Sequence, residues 1–259
     1  MDDVMFQKMC EEKATCQEII STILDKDVIV LDVIPQDFIM NLQGRSVRLD
    51  CLCKLKTGKF VNVEVQKSDD DDHEARVRYN APVVTANETP KSIKFKDVAQ
   101  VIVIFISKFD IFSGGLPIYH INRFVRELGT RAENGFTEIY VNSAVKKYDT
   151  DLNGNVSDLM DLFTDRESFN YEKFPVFSKR KNMFTNTEKG AIEMCEKVDQ
   201  LVKARELNNL FLYAQDGDMS VSRAARRANV TPKEFKIMMQ KNGYTVPQRR
   251  TAKTPAAAK

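Results

Sequence analysis

Histidine is nearly missing from this chain: only His73 and His120 occur in 259 residues. The sequence assembles no Ser/His/Asp and no Cys/His constellation around them, so hydrolysis by such a nucleophile has no support here. A glycine-rich phosphate loop is absent as well. No stretch approaches ~18 consecutive apolar residues, so no membrane span is expected. The acidic start Met1-Asp2-Asp3 does not read as a secretory signal. The five cysteines (Cys10, Cys16, Cys51, Cys53 and Cys195) match neither a zinc spacing nor a disulfide scaffold. They read as reduced thiols of a cytoplasmic protein. Cys51 and Cys53 lie in an apolar strand, where buried small hydrophobes are favoured over a metal pair. No internal repeat is present.

The chain is long enough for one large domain or two small ones. Its 42 % hydrophobic and 29 % charged residues are ordinary for a globular protein. The net charge of +2 hides an asymmetry. From Gly217 to Lys259 there are ten Lys/Arg against Asp218 and Glu234, a balance of +8 that leaves −6 on the preceding 216 residues. A basic end on an acidic body fits a polyanion partner. A solvated helical surface with a basic tail accounts for it equally well.

Apolar periodicity predicts a helix over residues 5–25, with Phe6, Met9, Cys16, Ile20, Ile23 and Leu24 on one face. Residues 28–33 read as a strand or buried connector, and Asn41-Leu42-Gln43-Gly44 as a turn. Strands are expected at 47–55 and 60–66, joined at Lys56-Thr57-Gly58. Asp69 to Asp72 form an acidic loop. Asp72 caps a helix that reaches about Ala81, where Pro82 bends or ends it. Val98 to Phe109 is almost wholly apolar, the mark of a strand buried on both faces. Ser113-Gly114-Gly115 breaks it off. Further strands are expected around 118–125 and 136–141, and helices from about Ser157 onward. The order predicts an α/β core on a mixed sheet followed by a helical C-terminal part.

Strand alternation puts Asn62, Glu64 and Gln66 on one face, with Val61, Val63 and Val65 on the other. Asp50 meets Glu64 only if the hairpin loop has three residues, Lys56-Thr57-Gly58, so that Leu55 pairs with Lys59. Glycine in the left-handed closing position favours that length. The same register sends Cys51 and Cys53 to the valine face, so the hydrophobic pattern agrees. Two facing carboxylates repel by up to ~1 kcal/mol on an open sheet. A divalent cation is the simplest reason to pair them; two solvated surface charges are the plain alternative.

The order Gly44-Arg45-Ser46-Val47-Arg48-Leu49-Asp50, Val61-Asn62-Val63-Glu64-Val65-Gln66, Arg76-Val77-Arg78-Tyr79, and then Lys91-Ser92-Ile93-Lys94-Phe95 before the buried strand resembles a known family. It is similar to the PD-(D/E)xK nuclease superfamily and, within it, to the transposase-like recombination-promoting nuclease (Rpn) family. The resemblance runs from about Phe6 to Phe112. It implies a restriction-endonuclease-like α/β core, a mixed central sheet flanked by helices. It also implies that Asp50 and Glu64 ligate Mg²⁺, with Mn²⁺ as an alternative, and that the backbone carbonyl of Val65 is a further ligand. Gln66 stands where the superfamily usually has lysine, and glutamine is neutral and can only hydrogen-bond. Arg76 or Arg78 would contact phosphate. The chain departs from the pattern at Tyr79-Asn80, where the family often has two tyrosines, and at Pro82. The acidic residue expected on the first helix would be Glu12 or Glu18, a choice the sequence leaves open.

The expected organisation is a nuclease-like core at 1–150, a helical C-terminal region at 151–245 and a disordered basic tail at 246–259. Within the helical region, 220–240 has helix-turn-helix character. Ala225 is the small residue of its first helix, Asn229 its turn and Phe235 the packing residue of its second. Thr231-Pro232-Lys233-Glu234 is a strong helix start. Arg223, Arg226 and Arg227 would suit DNA phosphates; a plain helical hairpin is the alternative. The expected function is a Mg²⁺-dependent DNA endonuclease that uses metal-activated water. The alternative is a catalytically inactive nuclease fold acting as a DNA-binding or regulatory module. Membrane association is not expected, and the sequence leaves the oligomeric state open.

Overall fold

The computed structural model describes residues 1, 3–35, 38–39, 47–70, 72–145 and 154–247. The expected turn at 41–44 and all but the first two residues of the expected disordered tail at 246–259 lie outside the described residues; Val246 packs against the core of the C-terminal helices. The chain opens with two helices, α1 (Asp3–Met9) and α2 (Lys13–Leu24), rather than the single helix expected. Both bury the predicted apolar face, but the path turns between them at Cys10-Glu11-Glu12. Asp25 ends α2 in the left-handed conformation, its N–H returning to the last helical carbonyls.

Among the described residues ten strands follow in chain order: β1 (Val30–Pro35), β2 (Phe38–Ile39), β3 (Val47–Arg48), β4 (Cys51–Leu55), β5 (Phe60–Gln66), β6 (Val101–Ser107), β7 (Ile118–Ile121), β8 (Phe124–Val125), β9 (Thr130–Arg131) and β10 (Phe136–Asn142). Six of them form a mixed sheet in the order β1-β4-β5-β6-β10-β7. The parallel trio β5, β6 and β10 fills its centre, and antiparallel strands flank it. All seven residues of β6 are buried, as its unbroken apolar run requires. The expected strand at 47–55 divides at Leu49-Asp50, because β3 pairs with β2 in a separate ribbon while β4 joins the main sheet.

Each face of the sheet carries its own core. Cys51, Cys53, Val61, Val63, Val65, Ile102, Ile104 and Ile106 pack under α1, α2, α4 (Gly154–Thr164) and α5 (Pro175–Asn186). Leu52, Phe60, Val103, Phe105 and Tyr140 pack on the other face under α3 (His73–Glu88). Helix α3 continues past Pro82 rather than ending there. Proline removes one backbone hydrogen bond, but burial of Val77, Ala81 and Val84 holds the helix on both sides of it. The sheet's second covering layer therefore extends past residue 150: α4 and α5 complete the core of the first 197 residues. The chain divides into compact units Met1–Lys197 and Val198–Lys259.

In the second unit, Phe211 and Ala214 of α6 (Glu188–Asp216) pack with α7 (Val221–Arg227) and α8 (Pro232–Lys241). Ala225 and Phe235 are fully buried, and Asn229 turns the chain with φ +55°. Thr231 and Glu234 form the reciprocal capping box that the sequence announced.

Candidate active site

The β4–β5 hairpin sets the site. Gly58 adopts φ +84°, its N–H returns to the Leu55 carbonyl at 2.9 Å, and Leu55 N–H reaches Lys59 O at 2.8 Å. The loop is therefore the three-residue one, and the ladder pairs Cys51 with Val63, Leu52 with Asn62 and Cys53 with Val61. One step further along that register, Asp50 stands opposite Glu64. Asp50 occupies the bend just before β4, and its carboxylate accepts the Val65 N–H at 3.0 Å. In an extended strand the N–H and C=O of one residue point the same way. The Val65 carbonyl thus faces the side on which Asp50 lies.

Glu64 is buried on the α3 face, 7 % exposed. Burial first, and the Asp50 charge second, push its carboxyl from the ordinary 4.5 up to about 8. Two side-chain amides hold one oxygen in place: Asn62 Nδ2 donates to Oε1 at 2.8 Å and Asn80 Nδ2 at 3.3 Å. Asn80, a departure from the family's tyrosine pattern, is thus a buried contact of the central carboxylate. A polar residue on the inward stripe His73-Val77-Asn80-Val84 of α3 was the available signal for it.

Gln66 is tied to the loop that follows it. Its amide nitrogen donates to Ser68 O at 3.1 Å, Ser68 Oγ at 3.0 Å and Asp70 at 3.3 Å, while its oxygen accepts from Arg76 at 3.4 Å. Arg76 also pairs with Asp72 at 3.0 Å, and its charge acts on Glu64 to favour ionisation. The acidic loop is accordingly a bonded structure: Asp69 meets buried His73 at 3.0 Å, and Asp70 and Asp72 surround Arg76. Asp71 lies outside the described residues. Arg78 is exposed two positions along α3 and shares a cleft with Asp69, Asp72, Glu74, Asp110 and Glu138. Of the two arginines considered, Arg76 is the one beside the site.

Neither Glu12 nor Glu18 joins Asp50 and Glu64. Glu12 pairs with Arg180 at 3.1 Å. Glu18 caps α5 in place of a local side chain, accepting the Phe177 N–H at 2.7 Å and the Val176 N–H at 3.3 Å. Burial raises its carboxyl above the usual range despite those bonds.

The donor set fits a hard divalent cation: two carboxylates on neighbouring strands and a strand carbonyl facing them, all oxygen ligands. A cation there would also offset the burial and like-charge penalties that raise the Glu64 carboxyl. Residues 2–133 match the family described as PD-(D/E)XK nuclease family transposase. The chain belongs to this PD-(D/E)XK nuclease transposase family. Its mixed six-stranded sheet with flanking helices is consistent with the restriction-endonuclease-like fold, and PD-(D/E)XK nucleases generally use divalent metal ions. No curated protein matches the chain. No solved structure matches it. Among the described residues no helix is long and apolar enough to cross a membrane.

In the second unit Arg223, Arg226 and Arg227 are all exposed on α7, with Lys233, Lys236 and Lys241 exposed on α8. Helices α7 and α8 are joined at the Asn229 turn, an order shared by a helix-turn-helix and a plain helical hairpin.

Proposed function

We propose that this chain is a Mg²⁺-dependent DNA endonuclease that hydrolyses phosphodiester bonds, with Mn²⁺ able to substitute. The observation that supports the proposal is the Asp50 carboxylate on the Val65 N–H at 3.0 Å, with its charge acting on the neighbouring Glu64. Asp50, Glu64 and the Val65 carbonyl would hold the ion. When bound, it lowers the pKa of an attacking water and stabilises charge on the phosphate. The chain's own residues do the rest. Asn62 and Asn80 orient Glu64. Gln66 anchors the Ser68–Asp70 loop and accepts from Arg76, so the cation that a lysine would bring arrives instead from α3. Arg76 is placed to bind a phosphate oxygen by exchanging its Asp72 partner for substrate. Water is the nucleophile, with no covalent enzyme intermediate. The buried free thiols support a reducing, cytoplasmic setting.

The test is nicking of supercoiled plasmid by wild type, Asp50→Ala and Glu64→Ala, each with Mg²⁺ and with EDTA. Nicking by wild type alone, and only with Mg²⁺, is expected. Equal activity in all three proteins refutes the site.

One observation favours a second reading. Gln66 replaces a lysine and its amide is spent on Ser68 and Asp70. A fold without cleavage activity that binds DNA through Arg223, Arg226 and Arg227 would follow. It predicts metal-independent DNA binding, lost when those three arginines become alanine, and no nicking under any metal.

A further inference from the structure

Four cysteines from separate parts of the sequence meet behind the site. Cys10 follows α1, Cys16 lies in the first turns of α2, and Cys51 and Cys53 share the back face of β4. All four are buried, at 1 % exposure or less, and none is in a disulfide. The sulfurs of Cys10, Cys16 and Cys51 lie within 4.8 Å of one another. Cys16 Sγ is 3.7 Å from Cys51 Sγ, and Cys51 Sγ is 3.6 Å from Cys53 Sγ.

These spacings have a chemical meaning. A tetrahedral zinc ion with Zn–S bonds of about 2.3 Å separates its sulfurs by about 3.8 Å. The Cys16–Cys51 and Cys51–Cys53 edges, 3.7 and 3.6 Å, are close to that value, while Cys53 stands outside the trio whose sulfurs all lie within 4.8 Å of one another and must draw in to complete the set. A multinuclear iron–sulfur cluster spreads its four cysteines further apart, so the cage suits a single ion. Its donor atoms are all sulfur, which selects a soft or borderline metal over Mg²⁺. A four-thiolate zinc centre carries two net negative charges. A counter-charge is at hand: Arg180 acts electrostatically on Cys16 and donates to the Met9 and Lys8 carbonyls at 2.9 and 2.7 Å, beside Cys10.

We propose that Cys10, Cys16, Cys51 and Cys53 form a structural zinc site, distinct from the carboxylate pair. Binding replaces four S–H protons by four Zn–S bonds, and the protons pass to solvent. The ion ties the α1–α2 corner to β4. Because Asp50 immediately precedes Cys51, the same ion fixes the start of the strand on which Asp50 depends.

The test uses the full chain, purified under reducing conditions, in an Asp50→Ala/Glu64→Ala background that removes the carboxylate site. Metal analysis is expected to give one zinc per chain. Replacing zinc by Co²⁺ is expected to give the visible bands and sulfur charge-transfer absorption of tetrahedral thiolate cobalt. Cys16→Ser and Cys53→Ser are expected to lose both, and Cys195→Ser, whose thiol is exposed, to keep both. Chelation is expected to lower the melting temperature of the parent and to leave that of folded Cys53→Ser unchanged. Should the serine variants not fold, the folded parent decides alone. Zinc-free parent protein from zinc-supplemented cells, with no tetrahedral cobalt spectrum, overturns the proposal.

Discussion

Replacing Glu64 by glutamine should reshape the pH dependence of stability. In the folded chain the Glu64 carboxyl is raised from 4.5 to about 8, by burial first and Asp50 second. The sign follows from linkage. Below pH 4.5 the group is protonated whether the chain is folded or not, and it costs nothing. Between pH 4.5 and about 8 the unfolded chain ionises while the folded chain holds its proton, so stability falls as pH rises. Above about 8 the full cost is present. At about 1.4 kcal/mol per pKa unit, it amounts to up to about 5 kcal/mol. Glutamine keeps the shape and the capacity to accept from Asn62 and Asn80, but it does not ionise. Urea unfolding in EDTA at intervals from pH 5 to 9 is the assay. Wild type should lose stability across that range relative to Glu64→Gln, with the variant the more stable above pH 8. Adding Mg²⁺ at pH 8 should recover much of the loss in wild type and none in the variant. Parallel curves for the two proteins would refute the claim that Glu64 is a buried, charge-strained carboxyl.

Asn80→Ala removes a hydrogen bond that favours the ionised Glu64, and should weaken Mn²⁺ binding at pH 7 by roughly 10-fold, as loss of a ligand's supporting contact does; a Mn²⁺ titration reads it. Gly190→Ala places a methyl group 2.0 Å from the Met183 carbonyl oxygen and 2.6 Å from Phe184 Cα. It should cost at least about 1–3 kcal/mol by denaturant unfolding, since neither backbone atom can yield cheaply. Phe235→Ala empties the centre of the second unit, where the ring packs on Phe211 at 5.0 Å. A loss of about 3–5 kcal/mol is expected, seen as faster amide exchange in α7 and α8 with β5 and β6 unchanged.

The β4–β5 register is legible in the sequence because two independent constraints coincide. Gly58 demanded a left-handed closing position, and the valine and cysteine alternation allowed only one register. The capping box at Thr231 was equally local and equally legible. What escaped the sequence depends on contacts between distant segments. The α1–α2 corner at Cys10-Glu11-Glu12 interrupts an apolar period that the residues alone continue. Pro82 reads as a stop, yet burial of Val77, Ala81 and Val84 carries α3 past it. Asn80 read as a lost tyrosine until α3 was laid over Glu64. The four cysteines have no recognisable spacing because a helix corner and a strand bring them together. Glu18, one of the two acids weighed for the first helix, caps α5 through its backbone N–H groups, a contact between segments more than 150 residues apart.

Whether Asp50 and Glu64 share one divalent ion is settled most directly by diffraction from crystals soaked in Mn²⁺, using anomalous scattering to locate the metal. The account predicts a peak within about 2.2 Å of a carboxylate oxygen of each residue and close to the Val65 carbonyl. Fully occupied Mn²⁺ bound elsewhere, with the Asp50 and Glu64 carboxyl groups turned apart, would contradict it.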